Sequence, residues 1–358
     1  MEIEVHSELS ESDLSEWQRF LSQSEHQHPR QDPRYANVER ATGNKVYFVI
    51  GRKSRVIEAV GLFCLKPHPF LPGFFSEALC LSGPICNNLP SIISFLEKIR
   101  AHSAFTKAGR MKVTPYWTGE AAEKLSDALK ASGGLVSEGA AFRETGWVDL
   151  SRDSDAILAG FSKSARREVR RAERQGVEVR MIEEESRARE FLHSLNCLRH
   201  SRALPMLNKE SFSAAFWDIY CSGDMGVLLG AYQNDDLIGG LMLLRSQHTA
   251  HTPHFTTMPD RLRSLSNLRV APFVWLEGML WAKQKGCLRL DVEGWKPSPE
   301  VTDKKYNIYK YKGEFHPTPV LRISEYMFPL NKFIHDMEQI PRKTKQLVKS
   351  LRSLRKNS

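Results

Sequence analysis

Phe161-Ser162-Lys163-Ser164-Ala165-Arg166-Arg167-Glu168-Val169-Arg170-Arg171-Ala172-Glu173-Arg174-Gln175-Gly176-Val177-Glu178-Val179 is the stretch on which the fold turns. Phe161 to Gln175 reads as a strongly charged helix, because no breaker interrupts it until Gly176, a residue suited to the left-handed turn that ends helices. The strand Val177 to Ile182 follows at once. A helix fed directly into a strand in mid-chain places a new structural unit here, starting near Ser151. Adjacent helical positions diverge by about 100°, so at most two of Arg166, Arg167, Arg170 and Arg171 can face one substrate.

Working outward, Ala188 to Arg199 is the next helix, and another lies around Phe212 to Tyr220. Gly226 to Tyr232 and Leu237 to Leu244 form a hairpin across Gln233 to Asp236, with a third strand near Ala250 to Thr256. Val270 to Lys285 carries Phe273, Val274, Leu276, Leu280 and Trp281 and stops at Gly286, before the strand Leu288 to Val292. Upstream, Val46 to Ile50 and Val56 to Leu65 form a hairpin. Helices centred on Ile92 to Ile99 and Ala121 to Leu129 flank the short strand Arg110 to Val113, and Gly146 to Leu150 closes this half. This order predicts mixed α/β layers with largely antiparallel sheets, not a doubly wound parallel sheet.

The chain of 358 residues is 41% hydrophobic and 26% charged, a globular composition long enough for two domains. Its net charge of +9 is concentrated. Arg342 to Ser358 holds seven basic and no acidic residues, and Phe161 to Gln175 holds six basic against two acidic, which leaves the remainder slightly acidic. Such focused charge suits polyanionic substrates better than a general coating of nucleic acid. No apolar run of about 18 residues occurs, so a soluble cytoplasmic protein is expected. The six cysteines form no C-x-x-C pair and read as buried thiols. Phosphate loops, H-E-x-x-H and G-x-S-x-G are absent, which removes most of the case for nucleotide hydrolysis, zinc proteolysis and serine-hydrolase chemistry. His248, His251 and His254 are spaced by three, but on a strand such steps alternate faces, so no metal is expected.

The opening stretch, with its Arg-x-x-aliphatic-basic-basic-Ala and Gly-Val-x-Val order, resembles the hallmark of the FemABX-type aminoacyltransferases of the GNAT acyltransferase superfamily. Ser82-Gly83-Pro84, Val113-Thr114-Pro115, Thr145 to Ser151 and Asp291-Val292-Glu293-Gly294 resemble further family motifs in the same order. So does the aromatic-Lys segment Ile308 to Phe315. The resemblance covers roughly residues 40 to 330. It implies two tandem GNAT-like domains, 1–152 and 153–321, with about 322–340 returning to the first domain and 341–358 left as a basic tail.

Known members transfer an amino acid from an aminoacyl-tRNA ester to an amine of a peptidoglycan precursor, with no cofactor or metal. The reaction needs cations for two polyanionic substrates, a group to meet the developing oxyanion and an acceptor for the amine proton. Position by position, the resemblance points to Lys312 as the channel cation, Asp291 or Glu293 as general base, and Arg202, Arg199, Arg166, Tyr311 and Tyr309 as substrate-binding residues. Glu293 departs from the family glycine, and the family Lys that helps hold a nucleotide diphosphate has only Arg34 and Arg40 as stand-ins. Two alternatives remain at this point. One is an acyl-CoA-dependent N-acyltransferase acting on an exopolysaccharide or small amine, which the glycine-free segment Arg261 to Arg269 disfavours. The other is a non-catalytic RNA- or membrane-surface-binding protein, for which Leu347, Val348, Leu351 and Leu354 of the tail supply an apolar stripe that would meet the inner face of a membrane.

Overall fold

The computed structural model describes residues 1–67, 74–137, 140–201, 206–207, 214–265, 268–303, 305–331 and 336. The chain runs β1 (Glu2–His6), α1 (Glu11–Gln23), α2 (Tyr35–Ala41), β2 (Lys45–Lys53), β3 (Val56–Pro67), β4 (Ser76–Cys80), β5 (Ile85–Cys86), α3 (Leu89–Arg100), β6 (Ala108–Val113), α4 (Gly119–Ala131), β7 (Leu135–Val136) and β8 (Phe142–Asp149). It continues through α5 (Ser154–Ala159), α6 (Lys163–Arg174), β9 (Glu178–Met181), α7 (Glu185–Ser201), α8 (Ala214–Tyr220), β10 (Gly226–Gln233), β11 (Asp236–Arg245) and β12 (Thr249–Thr257). Then come α9 (Pro259–Ser264), α10 (Ala271–Gln284), β13 (Arg289–Asp291), α11 (Tyr306–Gly313), β14 (Thr318–Ile323) and β15 (Tyr326–Pro329).

Two sheets form among the described residues. The first runs β1-β2-β3-β4-β6-β15-β7, with β5 on β3, and the second runs β14-β8-β13-β12-β11-β10-β9. Only β4 with β6 and β12 with β13 pair in parallel; the other pairs are antiparallel. This is the expected mixed architecture, with one difference at the boundary. β8, placed in the first half by a division at residue 152, is paired to β13 and β14 of the second sheet. The chain leaves that sheet after β14 and enters the first through β15, only three residues on, so the crossing lies at Ser324 and Glu325. The basic tail 341–358 lies outside the described residues.

Helix α6 shows why the diagnostic stretch folds as it does. The Ser162 side chain accepts the Ala165 amide at its N-terminus, Gly176 turns the chain with φ +71°, and Ala165, Glu168, Val169 and Ala172 make the buried face. The arginines are left on the remaining faces. A core of α5, α6, α10 and the second sheet closes one side, and α3 and α4 close the outer face of the first sheet. A third core joins the halves, packing Trp17, Phe48 and Leu62 with Phe191, Phe216 and Met242. Within the second half, Gly240 lets α7 approach β11 closely, since a Cβ would stand 2.7 Å from the Phe191 ring and 2.8 Å from the Leu229 carbonyl oxygen. Among the described residues no helix is long and apolar enough to cross a membrane.

Candidate active site

A cleft of about 480 Å³ opens between α7, β12, the start of α10 and α11, and its lining includes Arg199, Thr252, His254, Phe255, Arg269, Trp275, Tyr311 and Lys312. Helix geometry selects which part of the aromatic-Lys segment reaches it. Asn307, Ile308, Tyr311 and Lys312 share one face of α11 and line the cleft. Tyr309 does not: its carbonyl accepts the Trp295 indole N–H at 3.0 Å, and its ring packs on the core of the second sheet. Tyr311 is wedged among Phe255 at 6.2 Å, Trp275 at 6.0 Å and Phe315 at 5.3 Å between ring centres, and its buried hydroxyl has no hydrogen-bond partner among the described residues.

Lys312 donates from Nζ to the Glu293 carbonyl, with the Gly294 carbonyl at 3.5 Å. Burial pulls its pKa down to about 8, against the opposing pull of the Glu293 and Asp291 carboxylates. It is thus an ammonium held in a partly desolvated site close to its own titration point.

The two carboxylates at the end of β13 have separate roles. Asp291 is fully buried; Oδ2 accepts the Tyr116 hydroxyl at 2.6 Å, and Oδ1 accepts the Thr145 hydroxyl at 2.5 Å and the Glu293 amide at 2.7 Å. With both oxygens committed and the side chain buried away from the cleft, Asp291 holds the turn, a different placement from the one expected of a base. Glu293 stands at φ +55°, a conformation uncommon for a non-glycine residue, and a third of its side chain remains exposed. Oε1 is 3.3 Å from His251 Nδ1, and Oε2 is 4.0 Å from Arg322. Burial alone would raise its pKa, but the His251 N–H beside it and the charge of Arg322 outweigh it and hold the carboxyl well below the usual range.

The remaining expectations divide. Arg199 lines the cleft, where burial lowers its pKa. Arg202 lies outside the described residues. Arg166 is turned elsewhere, donating to the carbonyls of Ala159 at 2.8 Å and Phe161 at 2.6 Å, and no α6 arginine lines the cleft. Its guanidinium serves the open carbonyls of the turn before its own helix. Arg34 is bound to Asp32 and Asp224, and Arg40 to Glu8 and the Ser7 carbonyl, so neither stand-in offers a spare charge.

Sequence reasoning missed Arg30. Its guanidinium makes no hydrogen bond or ion pair with the described residues, although burial disfavours its charge; Tyr35, Glu293, Tyr220 and Glu39 hold its pKa above the ordinary value. Tyr35, Glu39 and Tyr220 line a second cavity of about 400 Å³, and His254 borders both cavities. Burial and the charges of Arg199 and Arg30 pull His254 down to about 4, so it is neutral at pH 7. Only the His26-Gln27-His28-Pro29-Arg30 clustering hinted at this loop.

His28, His251 and Glu293 bring one ligand atom each within 4.8 Å of one another. The donor set does not suit a cation well. His28 Nδ1 accepts the Arg30 amide at 3.2 Å, which leaves the proton of the neutral ring on Nε2, the nitrogen a metal would need. Arg322 already faces the carboxylate.

Comparison with known proteins bears on the fold. Residues 159–296 match the family model described as an acetyltransferase (GNAT) domain. The structure is similar to that of FemX, with 14% identity, a TM-score of 0.77, and 94% of this chain and 99% of that one covered. A tandem GNAT protein from the clavulanic acid biosynthesis pathway gives 12% identity and a TM-score of 0.55 over 92% and 99% of the two chains. The C-terminal domain of a putative lysylphosphatidylglycerol synthetase from Agrobacterium fabrum gives 14% and 0.52 over 88% and 91%. A search of curated protein sequences finds no match. The family match assigns a GNAT-type acetyltransferase domain to residues 159–296, and the chain as a whole shares the fold of these structures.

Proposed function

We propose that the protein transfers an amino acid from aminoacyl-tRNA to an amine of a peptidoglycan precursor. The observation that supports this most is Lys312, a partly desolvated ammonium that lines the cleft beside Arg199, donates to the Glu293 backbone carbonyl and feels the charge of the Glu293 carboxylate. As the amine nitrogen bonds to the ester carbonyl carbon, Lys312 faces the oxyanion and protonates the departing tRNA oxygen. Glu293 takes the amine proton and returns it to Lys312, so that one amide and one free hydroxyl result. Arg30 binds an anionic group of the acceptor beside the second cavity, because its guanidinium makes no hydrogen bond or ion pair with the described residues. Tyr311 and the rings around it pack against the donor.

The test offers purified protein charged tRNA and a nucleotide-linked muropeptide, and follows deacylated tRNA together with the mass gain of the acceptor. Gain of one amino-acid residue is the expected result. Acylation of the amine from acyl-CoA, with charged tRNA left intact, would overturn the reading.

A further inference from the structure

Three groups at the site are left over by this chemistry: His28, His251 and the left-handed backbone at Glu293. His251 is 1% exposed and His28 3%, and their ring centres are 4.3 Å apart. His28 Nε2 and both nitrogens of His251 are buried without a well-aligned partner, an arrangement that costs about 1–3 kcal/mol for each group left unsatisfied. Tyr116 walls the pair in, its ring 5.2 Å from His251 and 5.3 Å from His28, and its hydroxyl is committed to Asp291. Glu293 is meanwhile fixed from every other side. Its amide is held by Asp291, its carbonyl by Lys312, and its second carboxylate oxygen faces Arg322.

We propose that His251, backed by His28, is the positioning residue for Glu293: its Nδ1–H aims one carboxylate oxygen so that the other meets the attacking amine. The inference rests on Glu293 being the proton acceptor of the proposed reaction. The 3.3 Å separation from Oε1 is within range but not yet aligned, and such bonds tighten when substrate arrives. Orientation of the proton follows from the neighbours. The Arg30 amide occupies Nδ1 of His28, which puts that ring's proton on Nε2, and Nδ1 of His251 is the nitrogen 3.3 Å from Oε1, so a proton carried there meets the carboxylate. Burial, with the nearby His251, holds His28 well below the usual histidine pKa, consistent with a neutral backing ring. The charged and titratable groups that face Glu293 are therefore His251, His28, Arg30, Arg322, Lys312 and, behind the turn, Asp291.

The experiment compares pH profiles of kcat/KM for wild type, Glu293→Gln, His251→Phe and His251→Asn. Phe removes the donor, so the acid limb should move up by about one pH unit and kcat fall about tenfold or more with KM unchanged, whereas Asn keeps an N–H and restores most of kcat. An inactive Glu293→Gln beside a His251→Phe profile that superimposes on wild type would sink the role of His251 alone. A fully active Glu293→Gln would instead remove Glu293 from the reaction. Should His251→Phe fail to fold, ring-nitrogen NMR of the unaltered protein still decides: an Nδ1 of His251 that carries no proton at pH 7 overturns the proposal. Stabilisation by equimolar Zn²⁺ that is lost in His28→Ala would overturn it too, by making the cluster a metal centre.

Discussion

Replacing Lys312 by Met separates catalysis from stability. In the folded protein the Lys312 pKa is pulled from 10.5 to about 8, so its charge is disfavoured relative to the unfolded chain. A shift of that size corresponds to roughly 3 kcal/mol at neutral pH, an upper bound because the side chain is only partly buried. Met removes that strain and fits the apolar stem, but leaves the Glu293 and Gly294 carbonyls without the donor, a loss of about 1–2 kcal/mol. The net expectation at pH 7 is a variant as stable as wild type or about 1 kcal/mol more stable. Its transfer activity should be down about a thousandfold if the ammonium meets the oxyanion. The pH dependence has a defined sign. A lysine with a depressed folded-state pKa binds fewer protons when folded than when unfolded between about 8 and 10.5, so stability of the wild type rises through that window relative to Lys312→Met, by about 1.4 kcal/mol per unit. Activity should run the other way, falling as pH passes about 8 and the ammonium is lost. Urea unfolding at pH 7 and 9.5, alongside the transfer assay, measures both. A variant destabilised by more than about 1 kcal/mol at pH 7, or one that keeps its activity, would refute the reasoning.

Asp291→Ala should destabilise by about 3–5 kcal/mol, because it strands the Tyr116 and Thr145 hydroxyls and the Glu293 amide; denaturant midpoints measure this, and a loss under 1 kcal/mol would mean the turn holds without it. Arg30→Met should raise KM for a phosphorylated acceptor about tenfold with kcat little changed, while Arg34→Met, whose charge is already paired, leaves KM alone; equal effects of the two would remove Arg30 from the acceptor site. Gly240→Ala should cost about 2 kcal/mol or more in thermal or urea unfolding, because the new Cβ meets the rigid Leu229 carbonyl as well as the Phe191 ring.

Local pattern carried most of the fold. The helix that starts at Ser162 and stops at Gly176, the hairpin of β10 and β11, and the apolar α10 are settled by capping, turn residues and periodicity within a few residues, and each occurs where the sequence places it. Collinear motifs then reached the tandem arrangement. Lys312 and Tyr311 were legible because both lie in one short segment, though only the helical twist of α11 decided that Tyr309 would face away.

Charges were different. Among Arg30, Arg34, Arg40 and Arg166, the sequence shows four equal cations. The fold neutralises Arg34 and Arg40 with carboxylates, spends Arg166 on carbonyls, and leaves Arg30 without a partner among the described residues. Likewise Asp291 and Glu293 are two residues apart, yet one is saturated by Tyr116 and Thr145 from distant strands and loops while the other is met by His251 and Arg322. What the chain determines by itself is which elements form, since that depends on neighbours along it. Which charged side chain stays free to act depends on partners that lie from a few residues to nearly two hundred away, and the distant ones, such as Asp224 for Arg34 and Tyr116 for Asp291, are brought together only by the tertiary structure.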